Sequence, residues 1–450
     1  MEEQQKSYKG VRDKFLSNKM AKDILDMYHF CRIAGTLYIW DGTRYTPDVE
    51  EIIGAIAYRL EPDASDNQYA EVWKKFKKLT KNTPGFNTCN IKLPEFAEVD
   101  PYRIAFKNGV LNLYDMTFES NKTGEPWQYP ICNVIPWDYK PDAPEVPEVT
   151  EIIKQWASYD KDVENLLYEV MGFPMLVDCN LKTIFFLYGD GDCGKSTFAK
   201  YMQKLYSNDN FTTFDIREID DRFNRAMVCN KLFNFGDEID TGYIKNPNFL
   251  KRLSSGTQMQ AEKKGQDGYQ APFYSKLIFA MNDFPTIKIE GNMDAWERIN
   301  IINFKNKFKK NSKFNETIGK KIFTQEAIEY LLRRAAEAIH DVIERGHFDH
   351  RDEEMFQEFM GNNTPMMCYA LNKSLDDWKM YKNPNGDPDP RRWFESAKGE
   401  YKNQSSWDSF WKKFNRQSTQ FEIKRTTSRK RGTKENVWVI KEKENKNNNK

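Results

Sequence analysis

The sequence predicts an α/β fold, and three adjoining observations carry that expectation. An apolar run, Ile184 to Tyr188, reads as a buried strand. It leads into Gly189-Asp190-Gly191-Asp192-Cys193-Gly194-Lys195-Ser196, which fits G-x-x-x-x-G-K-[ST], the Walker A pattern. Phe198 to Leu205 then has helical spacing. Strand, glycine loop and helix in this order are the context in which the pattern reads as a site; the alternative is a chance match in a glycine-rich turn. The expected architecture is a P-loop NTPase core with an α+β module in front and a winged-helix-like domain behind.

Glycines let the backbone of residues 189–194 curl, so that several N–H groups point at one phosphate chain. The helix that follows adds its positive N-terminal end. Lys195 would hold the β- and γ-phosphates as a point charge, and Ser196, followed by Thr197, would ligate magnesium. The expected cofactors are therefore ATP and Mg2+.

Composition narrows the classes. At 450 residues the chain is long enough for roughly two to four domains. The net charge of +1 provides no global field for nucleic acid, so any basic surface must be local. The seven cysteines are scattered and show no C-x-x-C pair, which predicts reduced thiols in a cytosol-like compartment and no zinc site. The four histidines form no ligand pattern; His347 and His350 read as loop residues. The N-terminus is polar, and no stretch approaches the ~20 apolar residues of a membrane span. A cytoplasmic protein is expected.

Residues 1–135 read as an α+β module. Met20–Phe30, Val49–Leu60 and Tyr69–Leu79 have helical spacing. Leu37–Trp40 with Thr43–Tyr45, and Arg103–Phe106 with Val110–Leu113, read as hairpins around Asp41-Gly42 and Asn108-Gly109. No mechanistic motif lies here, and an adaptor or scaffold role is the plain reading. Residues 136–180 read as a proline-rich linker, with Pro136, Pro141, Pro144 and Pro147, and a helical collar over Thr150–Tyr159 and Lys161–Met171.

Residues 181–310 carry the chemistry. Lys231 to Glu238 reads as a second strand delivering Asp237 and Glu238 to its C-terminal edge, as a Walker B does. Asp237 would hold magnesium, and Glu238 would orient and deprotonate the attacking water. The alternative is a strand end with two solvated acids. Lys276 to Asn282 is a third strand. Its terminal amide, Asn282, either bonds the γ-phosphate or the lytic water and so senses hydrolysis, or caps the turn before Asp283-Phe284-Pro285. Arg298 follows Trp296-Glu297 and precedes a short strand. It reads as a residue reaching a neighbouring subunit's nucleotide, or as a structural partner of Glu297 or Asp294. Between Walker B and the third strand, Gln258 to Tyr269 reads as a hairpin with Lys263 and Lys264 at its tip. It meets single-stranded DNA in a channel, or it is a solvated loop.

In the last third, residues 311–375 centre on an amphipathic helix, Thr324–Arg345. Residues 376–441 read as a winged-helix unit. A polar loop or linker, Asn383 to Pro390, precedes helices over Arg392–Tyr401 and Trp407–Arg416. Strands over Phe421–Arg425 and Asn436–Ile440 follow, joined by a turn bearing Arg429, Lys430, Arg431 and Lys434. Such a unit suits a DNA duplex or junction, helix in a groove and basic hairpin on phosphate; the alternative is a solvated basic hairpin or a simple packing domain. Residues 442–450 read as a disordered tail.

With these residues placed, the chain resembles a superfamily 3 helicase, most closely the poxvirus-type and phage/plasmid primase–helicase family. The carriers are Gly189–Thr197, Asp237-Glu238, Ala261–Gly265, Lys276–Asn282 and Trp296–Arg298, with Phe106–Leu113 and Tyr139–Ala143 upstream. The resemblance implies an AAA+-like core, a hexameric ring with nucleotide sites between subunits, and 3′-to-5′ movement on single-stranded DNA. It also implies a setting in virus, phage or mobile-element replication, with priming by a separate primase or a polymerase partner. Two residues depart from the family pattern: Cys193 stands where members often carry Asn, and Glu297 where many carry a first arginine. The leading expectation is an ATP-driven DNA helicase. An origin-binding initiator whose ATPase switches assembly is the alternative, and a nucleotide-gated structural ring is a third reading.

Overall fold

The computed structural model describes residues 8, 15–33, 35–80, 93–96, 99–121, 126–237, 248–257, 259–262, 269–271, 273–284, 297–308, 320–363, 370, 373–383, 385–400, 407–417, 421–430 and 433–442. The chain divides into two units. One comprises Met1–Ile239, Phe249–Asn282 and Phe304–His350; the other comprises Asp240–Asn248, Asp283–Asn303 and Arg351–Lys450. The fold is mixed α/β with several sheets.

The first unit opens with α1 (Ser17–Met27). The helix stops short of Phe30 because Tyr28 takes an extended backbone (φ −122°, ψ 154°). Phe30 instead begins β1 (Phe30–Ile33), which pairs antiparallel with β2 (Thr36–Trp40). β2 turns into β3 (Tyr45–Thr46) through Asp41, whose carboxylate accepts from the backbone N–H groups of Thr43 and Arg44 at 2.8 and 2.9 Å. α2 (Val49–Leu60) and α3 (Asp66–Thr80) follow, and β4 (Glu95–Phe96) adds parallel to β1. A second sheet is built from β5 (Arg103–Phe106), β6 (Gly109–Asn112), β7 (Thr117–Ser120) and β8 (Val134–Ile135), in the order β7-β6-β5-β8.

The proline-rich stretch after β8 is pinned down rather than free. Asn108 accepts from the Tyr139 N–H at 2.8 Å and donates to its carbonyl at 3.0 Å. The Tyr139 ring packs between Phe106 and Phe118, with centroids 5.0 and 5.4 Å away. α4 (Pro147–Trp156) begins on Pro147, which needs no N–H partner at a first helical position. α5 (Lys161–Gly172) is capped by the Asp160 carboxylate.

The remaining elements of this unit are β9 (Ile184–Tyr188), α6 (Lys195–Tyr206), β10 (Phe211–Thr212), α7 (Arg222–Val228), β11 (Phe233–Gly236), α8 (Asn248–Ser254), β12 (Met259–Ala261), β13 (Tyr269–Ala271), β14 (Lys276–Met281) and α9 (Gln325–Arg345). β10, β11, β14 and β9 run parallel in that order. β11 and β14 are buried throughout, and β9 in all but Tyr188, which is why they read as continuous apolar runs. A buried amide network ties the earlier sheets to this one. Asn133 donates to Asn210 at 3.0 Å and to the Asn230 carbonyl at 2.9 Å, and accepts from the Tyr274 hydroxyl at 2.9 Å. Buried polar groups paired in this way fix one packing arrangement.

The second unit holds β15 (Ile299–Asn303), α10 (Glu353–Asn363), α11 (Leu375–Lys379), α12 (Pro390–Glu400), α13 (Trp407–Gln417), β16 (Phe421–Lys430) and β17 (Thr433–Glu442). Asn303 donates to the Met355 sulfur at 3.1 Å, and Phe284 packs on Phe359. β16 and β17 form an antiparallel hairpin with Arg429 opposite Lys434. Helices and hairpin close over an aromatic core of Trp378, Trp393, Phe394, Trp407, Phe410, Phe414 and Trp438. The polar loop before α12 is folded onto the hairpin. The Asn383 side chain accepts from the backbone N–H groups of Asn385 and Asp387, and the Pro388 carbonyl accepts from the Ile440 N–H.

Candidate functional site

The site is built where β9 ends. Its loop turns through Gly189 and Asp192, and Gly194 enters α6 at φ +98°. That angle lies in the left-handed region, where glycine is at home. A Cβ on Gly194 would collide with the Trp156 indole and stand 3.1 Å from the Phe308 ring. Trp156 in turn packs edge-on against Phe198 of α6, at 5.6 Å. The loop therefore rests on an aromatic floor, with Ser196 and Thr197 exposed on the first turn of α6.

Lys195 is only 8% exposed, and its ammonium is held at four points. It donates to the Gly189 carbonyl at 2.5 Å, the Asp190 carbonyl at 3.1 Å, the Cys193 sulfur at 3.3 Å and Asn282 Oδ1 at 2.9 Å. Burial of a cation demands such partners. The pairing with Asn282 follows from strand order. β14 lies directly beside β9, with Met281 opposite Tyr188, so the residue after β14 falls against the loop after β9.

Asp237 follows β11, one strand further out, and is exposed. With adjacent strands ~4.8 Å apart, it stands about 10 Å across the sheet edge from the loop. It borders an open cavity of about 550 Å³ lined also by Thr213, Asp215, Arg217 and Glu218. Among the described residues no group of three His, Cys, Asp or Glu side chains could hold a metal ion. A magnesium ion held by one carboxylate, one hydroxyl and a ligand's phosphates needs no such group. Ser196 offers an exposed hydroxyl and Asp237 an exposed carboxylate at this edge of the sheet.

Two features of the site had no counterpart in the sequence reading. One is Trp156 beneath Gly194. The other is the segment that follows β15, Phe304 to Phe308, which is bonded along the loop. The Phe304 N–H donates to the Tyr188 carbonyl at 2.8 Å and the Phe308 N–H to the Asp192 carbonyl at 2.9 Å. Lys307 pairs with the Asp190 carboxylate at 2.8 Å, which holds that carboxyl below its usual range. A carboxylate inside a phosphate loop is a sequence signal for a compensating cation, but nothing in the sequence says which lysine supplies it.

The remaining candidates are distributed. Arg298 lies half-buried just before β15 in the second unit, beside the exposed Glu297. Glu238, Lys263, Lys264 and Arg431 lie outside the described residues, as does residue 296. The backbones flanking Lys263 and Lys264 form the expected hairpin, β12 against β13. Arg429, Lys430 and Lys434 fall on paired backbone at the far end of the β16–β17 hairpin.

Two protein families match the chain. Residues 15–158 match the family described as D5 N terminal like, and residues 187–298 match a family of unknown function, DUF5906. Both are typical of phage and viral primase–helicase proteins, and they point to a replication protein of that kind. No curated protein matches the chain. Among solved structures, the apo structure of the NrS-1 C terminal region is similar at 12% identity over 94% of this chain and 99% of that chain, with a TM-score of 0.46. Its A-form apo structure is similar at 12% identity over 88% and 84%, with a TM-score of 0.45. Among the described residues no helix is long and apolar enough to cross a membrane.

Proposed function

We propose that the protein is an ATP-dependent replicative DNA helicase of the superfamily 3 type, working as a hexameric ring on single-stranded DNA. The observation that carries this reading is the junction of Lys195 with Asn282 at the C-terminal ends of neighbouring parallel strands, with Asp237 on the next strand. Ligands of open α/β sheets bind at that edge. Lys195 and the N–H groups of residues 189–195 bind the phosphates of ATP; Ser196 would hold magnesium directly and Asp237 through water, and the ion would neutralise charge on the phosphates. Glu238 takes the proton of the attacking water, and Asn282 orients that water once Lys195 has turned to the phosphates. Arg298 completes the site of a neighbouring subunit.

Coupling to DNA follows from chain order. The stretch from β11 through α8 and the β12–β13 hairpin leads straight into β14, so the hairpin that bears Lys263 and Lys264 is tethered on both sides to strands that end at the site, and a change at the phosphates is transmitted to it. Residues 376–441, of winged-helix type, bind duplex or origin DNA through Arg429, Lys430, Arg431 and Lys434. The family matches support a replication setting. Strand displacement tests the reading. Unwinding is lost in Lys195→Ala and in the Lys263→Ala/Lys264→Ala double variant, and a double variant that unwinds normally removes the hairpin from the mechanism.

A further inference from the structure

We propose that Lys307 is a second phosphate-contacting lysine of the nucleotide site, parked on Asp190 in the absence of nucleotide and transferred to the phosphate chain when ATP enters. The inference rests on the nucleotide reading above.

A loop that gathers backbone N–H groups around a polyanion carries here a carboxylate, which repels that polyanion. The carboxylate is already engaged: Lys307 Nζ lies 2.8 Å from Asp190 Oδ2. The carbonyl of the same residue accepts from Lys195 at 3.1 Å. Two ammonium groups thus meet on one loop residue, one on its main chain and one on its side chain.

The backbone around Lys307 is fixed to the loop. Phe304 is bonded to Tyr188 and Phe308 to Asp192, the Phe308 ring faces Gly194, and the Asn306 amide donates to the Gln155 carbonyl at 2.5 Å. The Lys307 side chain, by contrast, is 67% exposed, as is Asp190 at 68%. An anchored backbone carrying an exposed ammonium on a flexible stem is suited to exchanging one anion for another without moving the main chain. The incoming triphosphate carries more charge than the single carboxylate and competes well for the lysine. An ordinary exposed ion pair would have little effect on ligand affinity, and that is the outcome against which the proposal is tested.

The test is the affinity for a fluorescent ATP analogue with magnesium, measured for the wild type, Lys195→Ala, Lys307→Ala, Lys307→Arg, Asp190→Asn and Asp190→Asn/Lys307→Ala. Loss of Lys307 should weaken binding about five- to tenfold, the effect of one charge-assisted contact. It should do so equally in the Asp190→Asn background, where there is no carboxylate left to neutralise. Asp190→Asn alone should tighten binding, and Lys307→Arg should keep wild-type affinity. If Lys307→Ala has no effect in the Asp190→Asn background while the wild type binds and Lys195→Ala does not, the lysine only balances Asp190. The inference then fails and the nucleotide reading stands. If the wild type does not bind the analogue, both fail.

Discussion

Lys195 Nζ donates to Asn282 Oδ1 across 2.9 Å, joining residues 87 apart in the chain. The bond exists because β14 is the immediate neighbour of β9 and the two strands end level. Under the proposed function, ATP would draw the ammonium toward phosphate and release the amide. Asn282→Ala should therefore leave affinity for Mg-ATP within a few-fold of wild type while slowing turnover roughly a hundredfold, the range for loss of a group that orients the reacting water. Asn282→Asp should behave differently. Its carboxylate pairs with Lys195 and repels phosphate, so binding itself weakens. Steady-state kinetics beside an equilibrium titration separates the two.

Gly194 and Gly191 sit in the same loop under opposite constraints. A side chain at Gly194 meets Trp156 and Phe308 and must adopt φ +98°, whereas a Cβ at Gly191 has nothing within 4 Å. Gly194→Ala should lower stability by about 1–3 kcal/mol through backbone strain alone and abolish nucleotide binding. Gly191→Ala should preserve stability. Thermal unfolding with and without Mg-ATP checks both.

The parts of the fold that could be read from the sequence are those written in local pattern. Ile184–Tyr188 and Lys276–Asn282 are apolar runs because their strands are covered on both faces, and α2 spans the expected residues 49–60. β1 was hidden because Phe30 extends the apolar spacing of α1, and only the extended backbone of Tyr28 separates them. β7 was missed because Thr117–Ser120 is largely exposed and offers no apolar alternation. The candidate site divides the same way. Lys195, Ser196 and Asp237 announce themselves by motif and spacing. Trp156 under Gly194, Lys307 on Asp190 and the Asn133–Asn210–Tyr274 network depend on partners far apart in sequence. Tyr139, in a stretch whose prolines read as a stiff connector, is held by Asn108 from 31 residues away.

Glu169 of α5 predicts a pH dependence. It lies 2.7 Å from Arg345, yet burial outweighs that pairing and raises its carboxyl above the usual 4.5. A raised folded value means that the native state binds the proton more tightly than the unfolded chain. The contribution to stability is full below 4.5 and is lost as pH rises through the folded value. Denaturant unfolding of Glu169→Gln should lack this fall in stability as pH rises above 4.5. An unchanged pH profile would assign the effect elsewhere.

The basic end of the β16–β17 hairpin predicts a salt effect. Replacing Arg429, Lys430 and Lys434 with Glu should weaken duplex binding and flatten its salt dependence by about 0.9 log units per lost phosphate contact. Fluorescence anisotropy across a salt series reads both. A slope equal to that of the wild type would leave the hairpin without a role in DNA binding.

The central claim is that ATP bound at the Lys195–Asn282 junction is spent on work against DNA. The most direct measurement is the rate of ATP hydrolysis with and without single-stranded DNA, in the wild type and in Lys195→Ala. The wild-type rate should rise when DNA is added, and the variant should be inactive under both conditions. A wild-type rate indifferent to DNA, or a Lys195→Ala variant that hydrolyses ATP normally, would contradict that claim.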